Sequence, residues 1–302
     1  MKTVVIFGGS GFVGQHIVRR IAKMGYKIVI PYQGTANEPK LRLFGNVGQI
    51  IPIKFINIQD EIIIKSIEFA DVVINLKTVW RKKGLSFQKQ IKQFNIDLIS
   101  IINRIDKNKL FIFFTGLGIN KNSRSERTKA IFETENYIKK NTLNSCIIRP
   151  GLIIGGGDQF LQRLLPIIKI SFFVPIISDG KSRLQPVYID DVAKAVEKII
   201  FIKLKGHHIF ELVGSDVFSY RSLYLYLIEC LKVNRFLFPL PFFLAKIAVF
   251  IIEKTPINLL TIEQLMLFKE ENLPSNIDKN FKYLGIEPQN IREIIKIYFK
   301  KN

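Results

Sequence analysis

Thr3-Val4-Val5-Ile6-Phe7-Gly8-Gly9-Ser10-Gly11-Phe12-Val13-Gly14 is the stretch that decides the fold of this chain. Residues 3–7 form a continuous apolar run that meets glycines at once, which is how a buried parallel strand reads. A helical pattern follows, with apolar residues at Val13, Ile17, Ile21 and Met24, and it stops at Gly25. A second strand, Lys27 to Ile30, comes next. Strand, helix and strand together have the length of a βαβ crossover. The glycine spacing Gly8-x-x-Gly11-x-x-Gly14 lies at the first strand–helix junction, the context in which such a pattern means dinucleotide binding. Gly8 permits the tight turn, Gly11 lets the backbone approach a pyrophosphate, and Gly14 allows close packing of the helix. Backbone N–H groups and the helix N-terminus then face the phosphates. The whole loop, Gly8, Gly9, Ser10, Gly11, Phe12, Val13 and Gly14, is therefore the expected cofactor contact.

Outward from this unit, apolar strand candidates recur at residues 50–56, 72–76, 110–115 and 146–149, with helical segments near 88–105 and 125–140. Alternation of this kind predicts an α/β fold, a Rossmann-type doubly wound parallel sheet. After Pro150 the texture changes: Gly155-Gly156-Gly157, Pro166, Pro175 and Gly180 interrupt it, and long Phe/Leu/Ile-rich stretches follow. The expected organisation is a Rossmann domain over 1–155 and a smaller, mostly helical lobe over 156–302, with about 184–203 returning to the first domain. The 302 residues are enough for both, and 48% hydrophobic content supplies a core and argues against disorder.

Two rival motifs fail. A nucleophile elbow needs a glycine where Phe12 stands, and Gly180-Lys181-Ser182 lacks the upstream P-loop glycine, Pro175 taking its place. The net charge of +20 is spread along the chain. It fits an acidic partner, whether nucleic acid, anionic lipid or an acidic protein surface, and equally the basic drift of a Lys-, Ile- and Asn-rich proteome. Cys146 lies in an apolar run and reads as a buried free thiol, suiting a reducing compartment. The strand pattern begins at Lys2, so no leader is expected, although a processed mitochondrial chain would read the same. Phe236 to Ile252 is apolar but short, carries Lys246 and is broken by Pro239 and Pro241, which predicts a core or interfacial helix from about Pro241 rather than a membrane span. His16 and His207-His208, the latter read as a loop, make no metal site. Asp190-Asp191 reads as a helix N-cap in preference to an acid–base pair.

At the end of the second strand an NAD site usually carries a carboxylate for the ribose 2′-hydroxyl. Here the segment is Pro31-Tyr32-Gln33-Gly34, without one, and Lys40 and Arg42 are near. NADP(H) is expected over NAD(H), with Gln33 at the ribose.

Further landmarks run through the chain: Ile30-Pro31-Tyr32, Gly45-Asn46-Val47-Gly48-Gln49, Val72 to Leu76, Ile148-Arg149-Pro150-Gly151, Gly157-Asp158-Gln159-Phe160, Gln185 to Val192, Pro239-Leu240-Pro241-Phe242 and Leu284 to Pro288. On these, the whole chain resembles the atypical short-chain dehydrogenase/reductase branch that contains the NAD(P)H-binding accessory subunit of respiratory complex I and its bacterial relatives. The resemblance implies a structural or assembly subunit on the peripheral arm of NADH:ubiquinone oxidoreductase, beside the membrane. Its partners would be the other complex I subunits and, peripherally, an anionic membrane, with no nucleic acid. Its place would be the cytoplasmic face of a bacterial inner membrane, or the matrix side in an organelle. It also implies that the adenine edge is met after the third strand, where Asn57 and Asp60 stand, Asn57 either hydrogen-bonding there or being an exposed loop residue. With Leu76, Thr115 and Pro150 near strand ends and Lys129 on a helix, Asn57 completes the expected cofactor contacts.

Active short-chain dehydrogenases use Tyr-x-x-x-Lys on one helix face, the Lys lowering the Tyr pKa for proton exchange. The matching segment here is Ser125-Glu126-Arg127-Thr128-Lys129, and no Tyr lies between Tyr32 and Tyr137. A serine hydroxyl is shorter and a far weaker acid, so no catalytic residue is expected. The alternatives are an active NAD(P)-dependent reductase or epimerase on a quinone-related or nucleotide-sugar substrate, with another proton donor, and an RNA-binding Rossmann protein.

Overall fold

The structure is a computed structural model, and it describes residues 1–82, 84–255, 260–275 and 279–301. The first half alternates as β1 (Thr3–Phe7), α1 (Phe12–Lys23), β2 (Lys27–Tyr32), α2 (Glu38–Arg42), β3 (Ile50–Lys54), α3 (Glu61–Glu68), β4 (Val72–Asn75), α4 (Phe94–Ile105), β5 (Leu110–Phe114), α5 (Glu126–Asn141) and β6 (Ser145–Pro150). Every residue of β1 is buried, as a strand covered on both faces requires. Its side chains alternate between two apolar layers. Val4 and Ile6 pack with Ile17, Val18 and Ile21 of α1. Val5 and Phe7 pack on the other face with Ile63 of α3, Leu98 of α4 and Ile131 of α5. Gly25, at φ +81°, turns the chain out of α1.

The second half holds β7 (Ile153–Ile154), α6 (Gln159–Ile170), β8 (Phe173–Ile177), β9 (Arg183–Leu184), β10 (Val187–Tyr188), α7 (Ile189–Ile202), β11 (His207–Leu212), β12 (Phe218–Ser219), α8 (Tyr220–Leu231), β13 (Phe236–Leu240), α9 (Phe242–Glu253), α10 (Ile262–Leu267) and α11 (Ile291–Lys301). A third apolar cluster joins α6, α8 and α11 through Leu161, Leu165, Leu223, Leu227, Ile291 and Ile295.

The main sheet has seven strands in the order β11-β6-β5-β4-β1-β2-β3, every neighbouring pair parallel. From β1 the chain builds outward through β2 and β3, then crosses to β4 on β1's other side. The crevice beyond the carboxyl ends of β1 and β4 is thus the topological switch point, where open parallel sheets hold their ligands.

The doubly wound parallel sheet is as the sequence predicts, with local differences. His207 and His208 belong to the edge strand β11, paired with Ser145 and Cys146, not to a loop; its first half faces solvent, so the run lacks the apolar character of an inner strand. β3 ends at Lys54: the Phe55 N–H still reaches the Tyr32 carbonyl at 3.1 Å, but the Ile56 and Asn57 N–H groups turn to the Asp60 carboxylate at 2.9 and 3.1 Å. Pro241 divides the apolar stretch into β13, which contains Pro239 and pairs with β8, and α9, which Pro241 precedes. Among the described residues no helix is long and apolar enough to cross a membrane. Asp190 and Asp191 lie inside the first turn of α7, and Tyr188 holds the cap position. The Asp191 carboxylate instead accepts the Gln289 N–H at 2.8 Å, tying α7 to the chain leading into α11. Cys146 and Cys230 are free thiols, Cys146 buried.

Candidate functional site

Three of the loop's four glycines, Gly8, Gly11 and Gly14, differ in what surrounds them. Gly8 sits at φ +80°, and a Cβ there would lie 3.0 Å from the Leu76 carbonyl carbon and 3.1 Å from the Lys77 nitrogen. The end of β4 is thus pressed against the turn out of β1. A Cβ on Gly14 would come within 2.5 Å of Gly9 Cα and closer still to the Gly8 carbonyl oxygen, so α1 starts directly against the loop backbone. Gly11 differs: it is exposed, and a Cβ would meet only the Gly8 oxygen, at 3.3 Å. The loop is internally braced by Gly9 N–H to Ile6 carbonyl, 3.2 Å, and Gly11 N–H to Gly8 carbonyl, 3.1 Å. Gly11, in extended conformation, precedes α1 without any side-chain cap. The first-turn N–H groups therefore receive no side-chain acceptor, and the positive end of the helix faces the open side of Gly11.

The carboxyl ends of β2, β3 and β4 are joined by one side chain. Gln33 donates through Nε2 to the Ile56 carbonyl at 2.9 Å and accepts through Oε1 from Lys77 Nζ at 2.7 Å. Asn57 lies in the adjoining exposed turn, its Oδ1 accepting the Gln59 N–H at 3.0 Å. Leu76 continues β4, its N–H on the Phe7 carbonyl at 2.9 Å. Lys77 was not among the residues expected from the sequence. Its ammonium lies 4.2 Å from the centre of the Phe94 ring, and burial lowers its pKa. The cations that were expected there are differently placed. Arg42 pairs with Glu38 at 3.1 Å, and the same carboxylate accepts the Tyr32 hydroxyl. Lys40 is exposed on α2.

Beyond β5 and β6 the remaining residues form a second group. The Thr115 hydroxyl donates to the Glu135 carboxylate at 2.9 Å. Glu135 also binds Arg149, which reaches Glu211 at 3.4 Å. The Pro150 carbonyl accepts the Leu117 N–H at 3.3 Å. Ser125 is buried. Its oxygen caps α5 by accepting the Thr128 N–H at 2.9 Å, and its hydroxyl proton goes to Glu263 of α10. Lys129 follows one turn on, with its side chain exposed. Arg127 turns inward, its guanidinium 3.6 Å from the Trp80 ring centre and its Nε donating to the Val79 carbonyl at 2.8 Å; burial pushes it down to about 10.

The loop Gly155–Gly157 closes on α1. The His16 ring meets the Gly156 carbonyl at 3.2 Å, and a Cβ on Gly157 would touch the Phe12 ring at 3.5 Å. Asp158, buried below this loop, accepts the Leu161 N–H at 2.7 Å and caps α6; burial raises its carboxyl to about 6. The structure thus brings together the glycine loop, Gln33, Asn57 and Leu76 around the switch point. Thr115, Ser125 and Pro150 stand along the sheet's carboxyl edge towards β6. Among the described residues, no group of three or more His, Cys, Asp or Glu is placed to hold a metal.

Residues 4–114 match the model of the NAD dependent epimerase/dehydratase family. The chain is 28% identical over 302 residues to the mitochondrial NADH dehydrogenase [ubiquinone] 1 alpha subcomplex subunit 9 of Arabidopsis thaliana, covering 95% of this chain and 74% of that one. The Mus musculus subunit of the same name is 30% identical over 199 residues, which is 63% of this chain and 51% of that one. Among solved structures, the human epimerase family protein with NADPH superposes with a TM-score of 0.69 at 13% identity, over 99% of this chain and 100% of that one. Residues 4–114 are thus similar to the epimerase/dehydratase family, and the relatives named as NADH dehydrogenase [ubiquinone] subunits extend the likeness beyond that stretch.

Proposed function

We propose that this chain is a non-catalytic accessory subunit of respiratory complex I that holds NADP(H). The observation that carries the reading is the fate of Ser125. At the position of the proton-donating phenol stands a hydroxyl whose oxygen caps α5 and whose proton is committed to Glu263. The cofactor cradle, by contrast, has kept its form: Gly8 and Gly14 admit no side chain, while a Cβ on Gly11 would meet only the Gly8 oxygen, at 3.3 Å. The residues present thus fit a dinucleotide and lack the acid that would use it.

When bound, the nicotinamide ring supplies hydride chemistry. The chain's own residues are assigned the following duties. The loop Gly8–Gly14 takes the pyrophosphate on backbone N–H groups. Gln33 and Asn57 flank the adenosine, and Leu76 walls the loop. Thr115, Lys129 and Pro150 line the nicotinamide side, with Thr115 held in place by Glu135. Residues 1–155, with α7 packed on α1 and β11 completing the sheet, act as the nucleotide-binding part; the later helices form the lobe.

That lobe also supports a place beside an anionic membrane. Phe172, Phe173, Phe236, Phe238, Phe243 and Phe250 are each more than half exposed, on β8, β13, α9 and the turn before β8, with Lys246 and Lys254 on or just after α9. Aromatic rings with lysines at their border suit a surface that rests on headgroups without spanning them. The chain would then sit peripherally on the cytoplasmic face of a bacterial membrane, or on the matrix side of an organellar one, with no nucleic acid involved.

The test is turnover. Loaded with NADPH, the protein is expected to show none above background with carbonyl, quinone and nucleotide-sugar substrates. General acid–base catalysis typically contributes about two to four orders of magnitude, and Ser125 cannot supply it. Steady-state oxidation faster than about one per second, in the range of ordinary enzymes, would overturn the non-catalytic reading. Persistence of that rate in Ser125→Ala would place the proton donor elsewhere.

A further inference from the structure

We propose that Lys77 selects the 2′-phosphorylated dinucleotide, its ammonium standing beside Gln33 to receive the phosphate. The inference rests on the dinucleotide-binding reading above and adds the residue that discriminates between the two cofactors.

Lys77 is firmly rooted. The Lys77 N–H donates to Asn75 Oδ1 at 2.9 Å. Asn75 in turn donates to Asn95 Oδ1 at 2.8 Å, and Asn95 to the Ile91 carbonyl at 2.8 Å. Asn75 and Asn95 are both buried, so this polar chain fixes the end of β4 inside the core, where unmade hydrogen bonds are costly. From that root the side chain passes over Phe94 to Gln33 Oε1, 2.7 Å away. Gln33 directly follows β2, the place where this fold puts the ribose 2′ group.

The charge balance points the same way. Lys77 forms no ion pair among the described residues, whereas Arg42, the nearby cation suggested by the sequence, is already matched by Glu38. An ammonium has three donors, and the Gln33 carbonyl takes one. What remains is a half-buried cation with an uncharged partner, whose charged form burial disfavours. A phosphate dianion arriving beside Gln33 supplies the missing counter-charge; a ribose hydroxyl does not.

Calorimetry on the full chain tests this, with NADPH, NADH, 2′,5′-ADP and 5′-AMP as probes. The wild type is expected to prefer NADPH over NADH and 2′,5′-ADP over 5′-AMP. Lys77→Met should weaken both 2′-phosphorylated probes by about 10- to 100-fold, the scale of a lost charge-assisted hydrogen bond, and change NADH by less than about threefold. Gln33→Glu, at an exposed position, should pair with Lys77, repel the phosphate and weaken NADPH more than NADH. The proposal is overturned if Lys77→Met weakens NADPH and NADH equally, if it leaves NADPH unchanged, or if the wild type prefers NADH. A wild type that binds NADH and NADPH equally tightly would refute the selection alone. One that binds none of the four probes would refute the dinucleotide reading beneath it.

Discussion

Gly11→Asp is expected to abolish dinucleotide binding while leaving the nucleotide-free fold near its original stability. Both halves follow from the room around that residue. A Cβ at Gly11 meets only the Gly8 oxygen, at 3.3 Å, and its backbone is extended rather than left-handed, so a side chain asks the Gly8 carbonyl to give by only a few tenths of an ångström. That side chain then occupies the space kept for the pyrophosphate and brings a negative charge against it. Loss of more than 100-fold in affinity is expected. Since a ligand at about 100 times its Kd stabilises a fold by about 2.7 kcal/mol, the variant should also forfeit the rise in Tm that nucleotide gives the wild type. Differential scanning fluorimetry with and without NADPH reads both effects. Unchanged nucleotide content in the purified variant would sink the assignment. Gly14→Ala is the wrong probe, because its Cβ runs into Gly9 and Gly8 and would confuse loss of binding with loss of fold.

The second large effect is on stability. Arg149 lies between Glu135 of α5 and Glu211 of β11, with side chains 13%, 5% and 3% exposed respectively. Glu211 also accepts from Ser275, N–H at 2.6 Å and hydroxyl at 2.9 Å. Arg149→Met keeps most of the apolar stem but leaves two carboxylates buried without a cation. Breaking such a group from one side costs about 3–5 kcal/mol. For a chain of this size, at about 2–4 °C per kcal/mol, Tm should fall by roughly 6–20 °C. Adding Glu135→Gln and Glu211→Gln should recover much of the loss, because the penalty comes from unpaired charge rather than from missing attraction. A drop of under about 1 kcal/mol in Arg149→Met, by denaturant unfolding, would mean that water already reaches the pair.

The parts of the fold that rest on local pattern were legible in the sequence: the apolar run of β1, the glycine spacing, the helical period of α1. What was not legible depended on register. Lys77 and Gln33 are distant in sequence and meet only because β2 and β4 both pair with β1 in parallel, Thr3 opposite Lys27 and Phe7 opposite Asn75. No period or spacing announces that. The same holds for Ser125, whose substitution for tyrosine could be read, but whose commitment to Glu263 in α10 could not. β11 escaped notice because an edge strand that opens His207-His208 lacks the apolar signature of an inner one. Asp191 looked like a cap because Asp at a helix start usually is one; here its partner is Gln289, far along the chain.

What the chain is attached to and what it carries separate an accessory subunit from a free enzyme. The deciding measurement is affinity capture of the tagged chain from gently solubilised membranes, with mass spectrometry of the proteins and of the nucleotide released from them. The expected result is a set of complex I subunits in stoichiometric amounts together with NADP(H). Recovery of the chain without any complex I subunit, in a source that contains the complex, would contradict it.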